Sequence, residues 1–275
     1  MAALDMFSGC VAPTKVPLST TVQNTSISSA RSMIVSLSGT INHSYLIIQR
    51  YKLTSSKRQT TSPKVAMKIT LIGTGNMGSA FAKQLSAAGH SVRITGRDIS
   101  KAQALADQHA NVSAYVASEA LGDSQVIVVA TAYADATAAL QSLGDLTGKV
   151  VIDITNPLSA DYMSLTVGHV TSASEEIARA VPQANVVKAF NTLFAQVLAD
   201  GPKFANDQTG SVFVASDSER AKQTAIALAR SLGWNTVDAG GLVNARYLEP
   251  LAGFNIYLGY GAGLGTSVAP VWLSK

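Results

Sequence analysis

From Lys68 onward, short apolar runs alternate with amphipathic stretches along the chain. The runs at 68–72, 91–95, 111–115, 125–130 and 150–154 predict strands, as do those at 185–189, 211–215 and 235–238. Between most of them the apolar period lengthens to that of a helix. "AFAKQLSAAG" sets Phe81, Leu85 and Ala88 on one face and ends on Gly89, a residue suited to a helix C-terminus. "DSERAKQTAIALARSLG" predicts a helix capped by Asp217, with Ala221, Ala225, Leu228 and Leu232 along one face and a stop at Gly233. Strands that are apolar on both faces, alternating with helices, predict an α/β fold built on a doubly wound, mostly parallel sheet. The final segment, "LVNARYLEPLAGFNIYLGYGAG", predicts a long apolar helix bent at Pro250, with no strand after it. A helix so apolar packs in a core or against a second subunit.

Composition adds bounds. With 275 residues, 47% apolar and 14% charged, the chain has the make-up of a compact soluble α/β protein. No apolar run approaches the roughly 18 residues of a membrane span, so no membrane partner is expected. Cys10 is the only cysteine, which excludes disulfides and cysteine-based metal sites within the chain, and no metal-ligand spacing is present.

The net charge of +4 divides unevenly. Residues 1–66 carry seven bases and the single acid Asp5, whereas the remainder carries 14 bases and 16 acids. The folded part therefore lacks the basic excess of a nucleic-acid surface. Residues 1–66 also lack sustained periodicity and are rich in Ser and Thr. Two readings fit them. One is an organelle transit peptide, which would place the protein in a plastid or mitochondrion. The other is a disordered tail or upstream reading frame ahead of a start at Met67, which would leave it cytoplasmic. Neither alters the chemistry downstream.

Gly73-Thr74-Gly75-Asn76-Met77-Gly78 fits G-x-G-x-x-G, directly after a predicted strand and opening a helix. Gly73 suits a tight turn, Gly75 lets backbone approach a pyrophosphate, and Gly78 permits close helix–strand packing. The helix N-terminus offers free N–H groups to phosphates. Enzymes that take NAD place a carboxylate at the end of the second strand for the ribose 2′-OH. Here Thr95 and Gly96 occupy that place, Asp98 suits a helix cap, and Arg97 and Lys101 stand where a 2′-phosphate would sit. NADP(H) is thus expected over NAD.

Ligands of open parallel sheets bind beyond the carboxyl ends of the strands. Three further loops lie there. In Ala130-Thr131-Ala132-Tyr133 the small residues would pass under the nicotinamide ribose, with Tyr133 packing beside it. Thr155-Asn156-Pro157 and Ala189-Phe190-Asn191-Thr192 bring the uncharged hydrogen-bond formers Asn156 and Asn191, which are crevice residues or ordinary turn formers. No nucleophile–base set is visible. His90 and His109 read as surface or cap residues, and His169 alone reads as a pocket candidate. No catalytic acid or base is assigned, and hydride transfer between two bound redox groups needs positioning more than one.

"MKITLIGTGNMGSAFAKQLSAAGH", "TGRDISKA", "VVIDITNPL", "VVKAFNTLFAQVL" and "DAGGLVNARYLEPLAG" together resemble the NADP-dependent deazaflavin oxidoreductase family, and equally the reductase domain of six-transmembrane metalloreductases. The likeness runs from Met67 to about Leu264. It implies a Rossmann domain over 67–240 and a C-terminal helical segment over 241–275 that builds a homodimer. It implies contacts to NADP(H) from Thr74, Asn76 and Met77, from Arg97 and Lys101 at the 2′-phosphate, and from Thr131 and Ala132 near the nicotinamide ribose. "TNP" and "AFN" would border the nicotinamide and its partner. Gly96 departs from members with serine there, and the membrane half of the metalloreductases is absent from the sequence. The reading is an NADP(H)-dependent oxidoreductase that passes hydride to or from a small redox acceptor, a deazaflavin or flavin. The alternatives are an imine or carbonyl reductase of the pyrroline-5-carboxylate reductase type, and a non-catalytic NADP(H) sensor.

Overall fold

The computed structural model describes residues 66–273, so the transit-peptide reading of the first 65 residues lies outside the described residues. All eight expected strands form: β1 (Lys68–Ile72), β2 (Ser91–Thr95), β3 (Val112–Ala114), β4 (Val126–Val129), β5 (Val150–Asp153), β6 (Asn185–Ala189), β7 (Ser211–Ala215) and β8 (Asn235–Asp238). They make one sheet in the order β3-β2-β1-β4-β5-β6-β7-β8. Every pairing is parallel except β6 with β7. The first six strands thus follow the doubly wound order, with its switch point between β1 and β4.

The helices are α1 (Asn76–Ala87), α2 (Ile99–Ala106), α3 (Ala117–Ala120), α4 (Tyr133–Gln141), α5 (Ala173–Ala180), α6 (Ala195–Asp200), α7 (Glu219–Ser231) and α8 (Ala245–Ile256). One core joins α1, α2, α6 and α7 to the sheet through residues such as Phe81, Leu85 and Leu228. A second joins α4 and α5 to it through Leu140 and Ile177. Leu248 of α8 meets Phe213 and Ala215 of β7 in a third, smaller cluster. All four residues of β4 and of β5 are buried, which is why these strands read as unbroken apolar runs.

Both glycine stops form as expected. Beyond α1, Gly89 takes φ +84°, Gly89 N–H donates to Ser86 O, and His90 N–H donates to Leu85 O. Gly233 ends α7 in the same way, with bonds to Arg230 O and from Trp234 to Ala229 O. The start of α7 corrects the sequence reading. Ser218, not Asp217, is the cap and accepts from Ala221 N–H, because Asp217 is taken by the Leu242 N–H instead. Of the two roles expected of it, surface or cap, His90 keeps the cap, through its backbone N–H, and loses the surface. It is 1% exposed, accepts from Met67 N–H through Nδ1, and lies 2.7 Å through Nε2 from Ser231 Oγ, so it ties the start of β1 to the end of α7. His109 lies in the turn after α2, where its N–H donates to Ala106 O. The C-terminal segment is helical only in part: a 3₁₀ turn at Leu242–Asn244 leads into α8, which continues through Pro250, and a π turn at Tyr257–Gly261 precedes a non-helical tail.

Candidate functional site

The glycine loop leaves β1 with Gly73 at φ +120°. A Cβ on Gly73 would meet Ala130 O at 2.3 Å, and one on Gly78 would meet Gly73 O at 2.0 Å. These two positions are closed by the protein's own backbone. A Cβ on Gly75 would meet nothing within 4 Å. The first turn of α1 has no side-chain cap and no acidic residue. An uncapped helix start thus faces the open side of the loop, which fits a pyrophosphate, since the N–H groups and the helix dipole both favour an anion there.

At the end of β2, Thr95 is 1% exposed, so its side chain belongs to the interior. Gly96 backs onto Thr74, whose Cγ2 would lie 3.2 Å from a Cβ added there. Asp98 caps α2 by accepting from Ser100 and Lys101 N–H, as expected of it. Arg97 is 92% exposed and reaches Asp135 of α4 at 3.7 Å. That pair links the β2 end to the first turn of α4. Lys101 lines an open cleft of about 740 Å³ together with Thr74, Asn76 and Lys83.

On the other side of the switch point, Thr131 donates to Ala132 O, and Ala132 starts α4 without a side-chain cap. Tyr133 follows, half-buried, with its hydroxyl donating to Glu176 of α5. Burial first, and then the bond to this carboxylate, push the Tyr133 phenol up to about 12. The group therefore stays protonated at neutral pH.

The loops after β5 and β6 grip each other. Asn156 Nδ2 donates to Asn191 O at 2.9 Å, and Asn191 Nδ2 donates to Asn156 Oδ1 at 3.0 Å and to Leu248 O at 2.9 Å. Both N–H groups of Asn191 are used on acceptors, which fixes its amide orientation. Pro157, Ala189 and Phe190 are buried. Phe190 adopts φ +60°, rare for a bulky residue, while its ring packs edge-on against Phe81 at 5.2 Å. That turn aims the Asn191 side chain back toward β5 and α8. Of the predicted residues here, Asn156 stays partly exposed, whereas Phe190 and Asn191 are buried.

The same loops rest on a buried cluster that the sequence does not reveal. Lys188 of β6 is fully buried, and its Nζ donates to Asp153 Oδ2 at 2.8 Å, Glu249 Oε1 at 2.8 Å and Thr155 O at 2.7 Å. Glu249 also accepts from the N–H groups of Ala173 and Ser174, so it caps α5 from another helix. Ser174 Oγ donates to Asp153, and Thr155 N–H donates to its other oxygen. The only signal in the sequence is a lysine and an aspartate inside apolar runs, "NVVKA" and "VVIDI". Buried charges of this kind are paired or not present at all. His169, the pocket candidate, is exposed at φ +59° and lines none of the crevice loops. Among the described residues no group of His, Cys, Asp and Glu could hold a metal ion, and no helix is long and apolar enough to cross a membrane.

Residues 68–157 match the family described as NADP oxidoreductase, coenzyme F420-dependent. The chain is 32% identical over 206 residues to metalloreductase STEAP3 of Rattus norvegicus, covering 74% of this chain and 40% of that protein. It thus spans about two fifths of the length of the curated relatives it matches, at 40% and 39%. Among solved structures, a protein of Arthrobacter sp. FB24 assigned as an F420-dependent NADP reductase is 32% identical, with a TM-score of 0.67, covering 74% of this chain and 97% of that one. An imine reductase from Pseudomonas sp. shares the fold alone, at 23% identity and a TM-score of 0.50, covering 72% and 64%. The glycine loop, the basic β2 end and this nearly full-length likeness to the Arthrobacter protein carry one conclusion: the chain belongs to the F420-dependent NADP oxidoreductase family.

Proposed function

We propose that this protein transfers hydride between the nicotinamide of NADP(H) and a flat acceptor, a deazaflavin or a flavin, stacked over the crevice. One observation carries the reading. The loop is closed at Gly73 and Gly78 and open at Gly75, in front of an uncapped helix start and beside Arg97 and Lys101. Gly73 to Gly78 would hold the pyrophosphate, and Arg97 and Lys101 the 2′-phosphate. Thr131, Ala132 and Tyr133 would border the nicotinamide ribose, with Asn156 at the nicotinamide. The bound nicotinamide supplies the hydride. The protein's own part is to orient it, because the crevice loops present amides and hydroxyls while Lys188 and Asp153 stay sealed below.

A homodimer through α8 belongs to the same reading. Val243, Tyr247, Pro250, Phe254 and Tyr257 form an exposed stripe at helical spacing, with Tyr247 at 75% and Phe254 at 58% exposure. A second copy would cover it. NADPH oxidation by the chain from Met67, with deazaflavin, FMN, a cyclic imine and no acceptor in parallel, tests the proposal. Turnover with deazaflavin or FMN is the expected result. Turnover with the imine alone would replace it with the imine-reductase reading, and tight binding without consumption would favour the sensor.

A further inference from the structure

We infer that Lys188 is a positioning residue for the nicotinamide end of the site, acting with Glu249 to lock the Thr155-Asn156-Pro157 loop to helix α8. The inference rests on the dinucleotide reading above and deepens it. Lys188 touches no part of the crevice, since it is 0% exposed. Its three bonds go to the strand before the loop (Asp153), to the loop backbone (Thr155 O), and to α8 (Glu249). Glu249 in turn fixes the start of α5, the helix that carries the Tyr133 partner Glu176. Asn191 adds a second tie, from Asn156 to Leu248 O, next to Glu249 in the chain.

The arrangement exceeds what packing alone requires. A lysine in the middle of a buried strand carries a desolvation cost that an apolar residue would avoid, and only a complete set of partners offsets it. Here two carboxylates and a loop carbonyl converge on one ammonium. The result is a rigid support under Asn156 that a methionine of similar length would not give. The adenosine end is held by different elements, the glycine loop, α1 and the β2 end, and none of them contacts Lys188. Loss of the lysine should therefore loosen one end of a bound dinucleotide and leave the other unchanged.

The experiment uses K188M/E249Q, which removes one charge of each sign and keeps both volumes. Three quantities are read: affinity for adenosine 2′,5′-bisphosphate, the fluorescence enhancement of NADPH on binding, and amide hydrogen exchange at Thr155, Asn156 and Leu158. The expected result is bisphosphate affinity within about twofold of wild type, loss of most of the NADPH enhancement, and exchange at least tenfold faster in the loop. Wild-type enhancement and wild-type exchange in the folded variant would overturn the inference, as would an equal loss of affinity for both ligands. If the double variant does not fold, D153N/K188M/E249Q, which leaves no buried carboxylate without its ammonium, carries the same measurements. Failure of the dinucleotide reading looks different: wild-type protein would then bind neither ligand, and exchange at Thr155, Asn156 and Leu158 would still decide the role of Lys188.

Discussion

Asn156 and Asn191, 35 residues apart in the chain, close a reciprocal pair of hydrogen bonds that joins the loops after β5 and β6. The two partners are not equivalent. Asn191 is 5% exposed and also serves Leu248 O, whereas water can reach Asn156. Asn191→Ala leaves a buried carbonyl and an amide oxygen without their donor, at a cost of about 1–3 kcal/mol. Asn156→Ala also frees the Asn191 carbonyl and one of its amide N–H groups. It opens a partly exposed position through which water can reach them, however, so it should cost less, about 1 kcal/mol or below. Denaturant unfolding of the two variants checks the order, and the reverse order would contradict the assigned geometry.

Gly75 and Gly78 should separate binding from folding. At Gly75 φ is −80° and a Cβ meets open space, so Gly75→Ala should leave stability within about 0.5 kcal/mol of wild type. The methyl group would stand where a pyrophosphate approaches, so NADPH affinity should fall about tenfold or more. Gly78→Ala drives a methyl into Gly73 O and should destabilise the fold by about 1–3 kcal/mol. Melting curves paired with NADPH titration distinguish the two outcomes.

Arg97 contributes little to the fold, because a pair at 3.7 Å with a 92% exposed guanidinium is screened by water. Arg97→Ala should therefore melt as wild type does. Its effect should appear in cofactor choice, with NADPH affinity falling about 10- to 100-fold, the worth of a charge-assisted hydrogen bond to phosphate, and NADH affinity unchanged. Equal losses for both cofactors would remove Arg97 from the 2′-phosphate site.

Arg246 at the start of α8 forks onto Glu175 of α5 through bonds of 2.9 and 2.7 Å. That fork is the main reason the Glu175 carboxyl sits below its ordinary value of 4.5, against the opposing effect of burial. A carboxylate whose folded value is depressed stabilises the fold above its unfolded value, and the gain is lost as pH falls through the folded one. Wild-type protein should thus lose stability more steeply than Glu175→Gln below about pH 4.5, the difference amounting to about 0.5–2 kcal/mol. Melting temperatures across that acid range supply the check, and parallel curves would count against the pair.

Most of the sheet was legible in the chain because a buried parallel strand is apolar over its whole length, as in "VIVV" and "VVID". The nucleotide loop was legible for a similar reason, since its constraint on Gly73 and Gly78 is imposed by neighbours close in sequence and by the β4 end beside it. The helix stops at Gly89 and Gly233 depend on local backbone alone. The cap of α7 shows where that legibility ends: Asp217 and Ser218 are both good caps, and a distant N–H, that of Leu242, takes the aspartate.

What only the tertiary structure decided are pairings between segments far apart in the chain. Lys188 reads as an anomaly in an apolar strand until β5 and α8 bring Asp153 and Glu249 to it. Asn191 reads as a turn residue until the positive φ of Phe190 turns it toward Asn156 and Leu248, the last of them 57 residues away. Periodicity and turn chemistry report on a residue's own few neighbours, so the sequence by itself determined the elements, the sheet and the glycine loop. The partner of a buried charge is set by which strands and helices meet, and that is fixed only when the chain has closed its core.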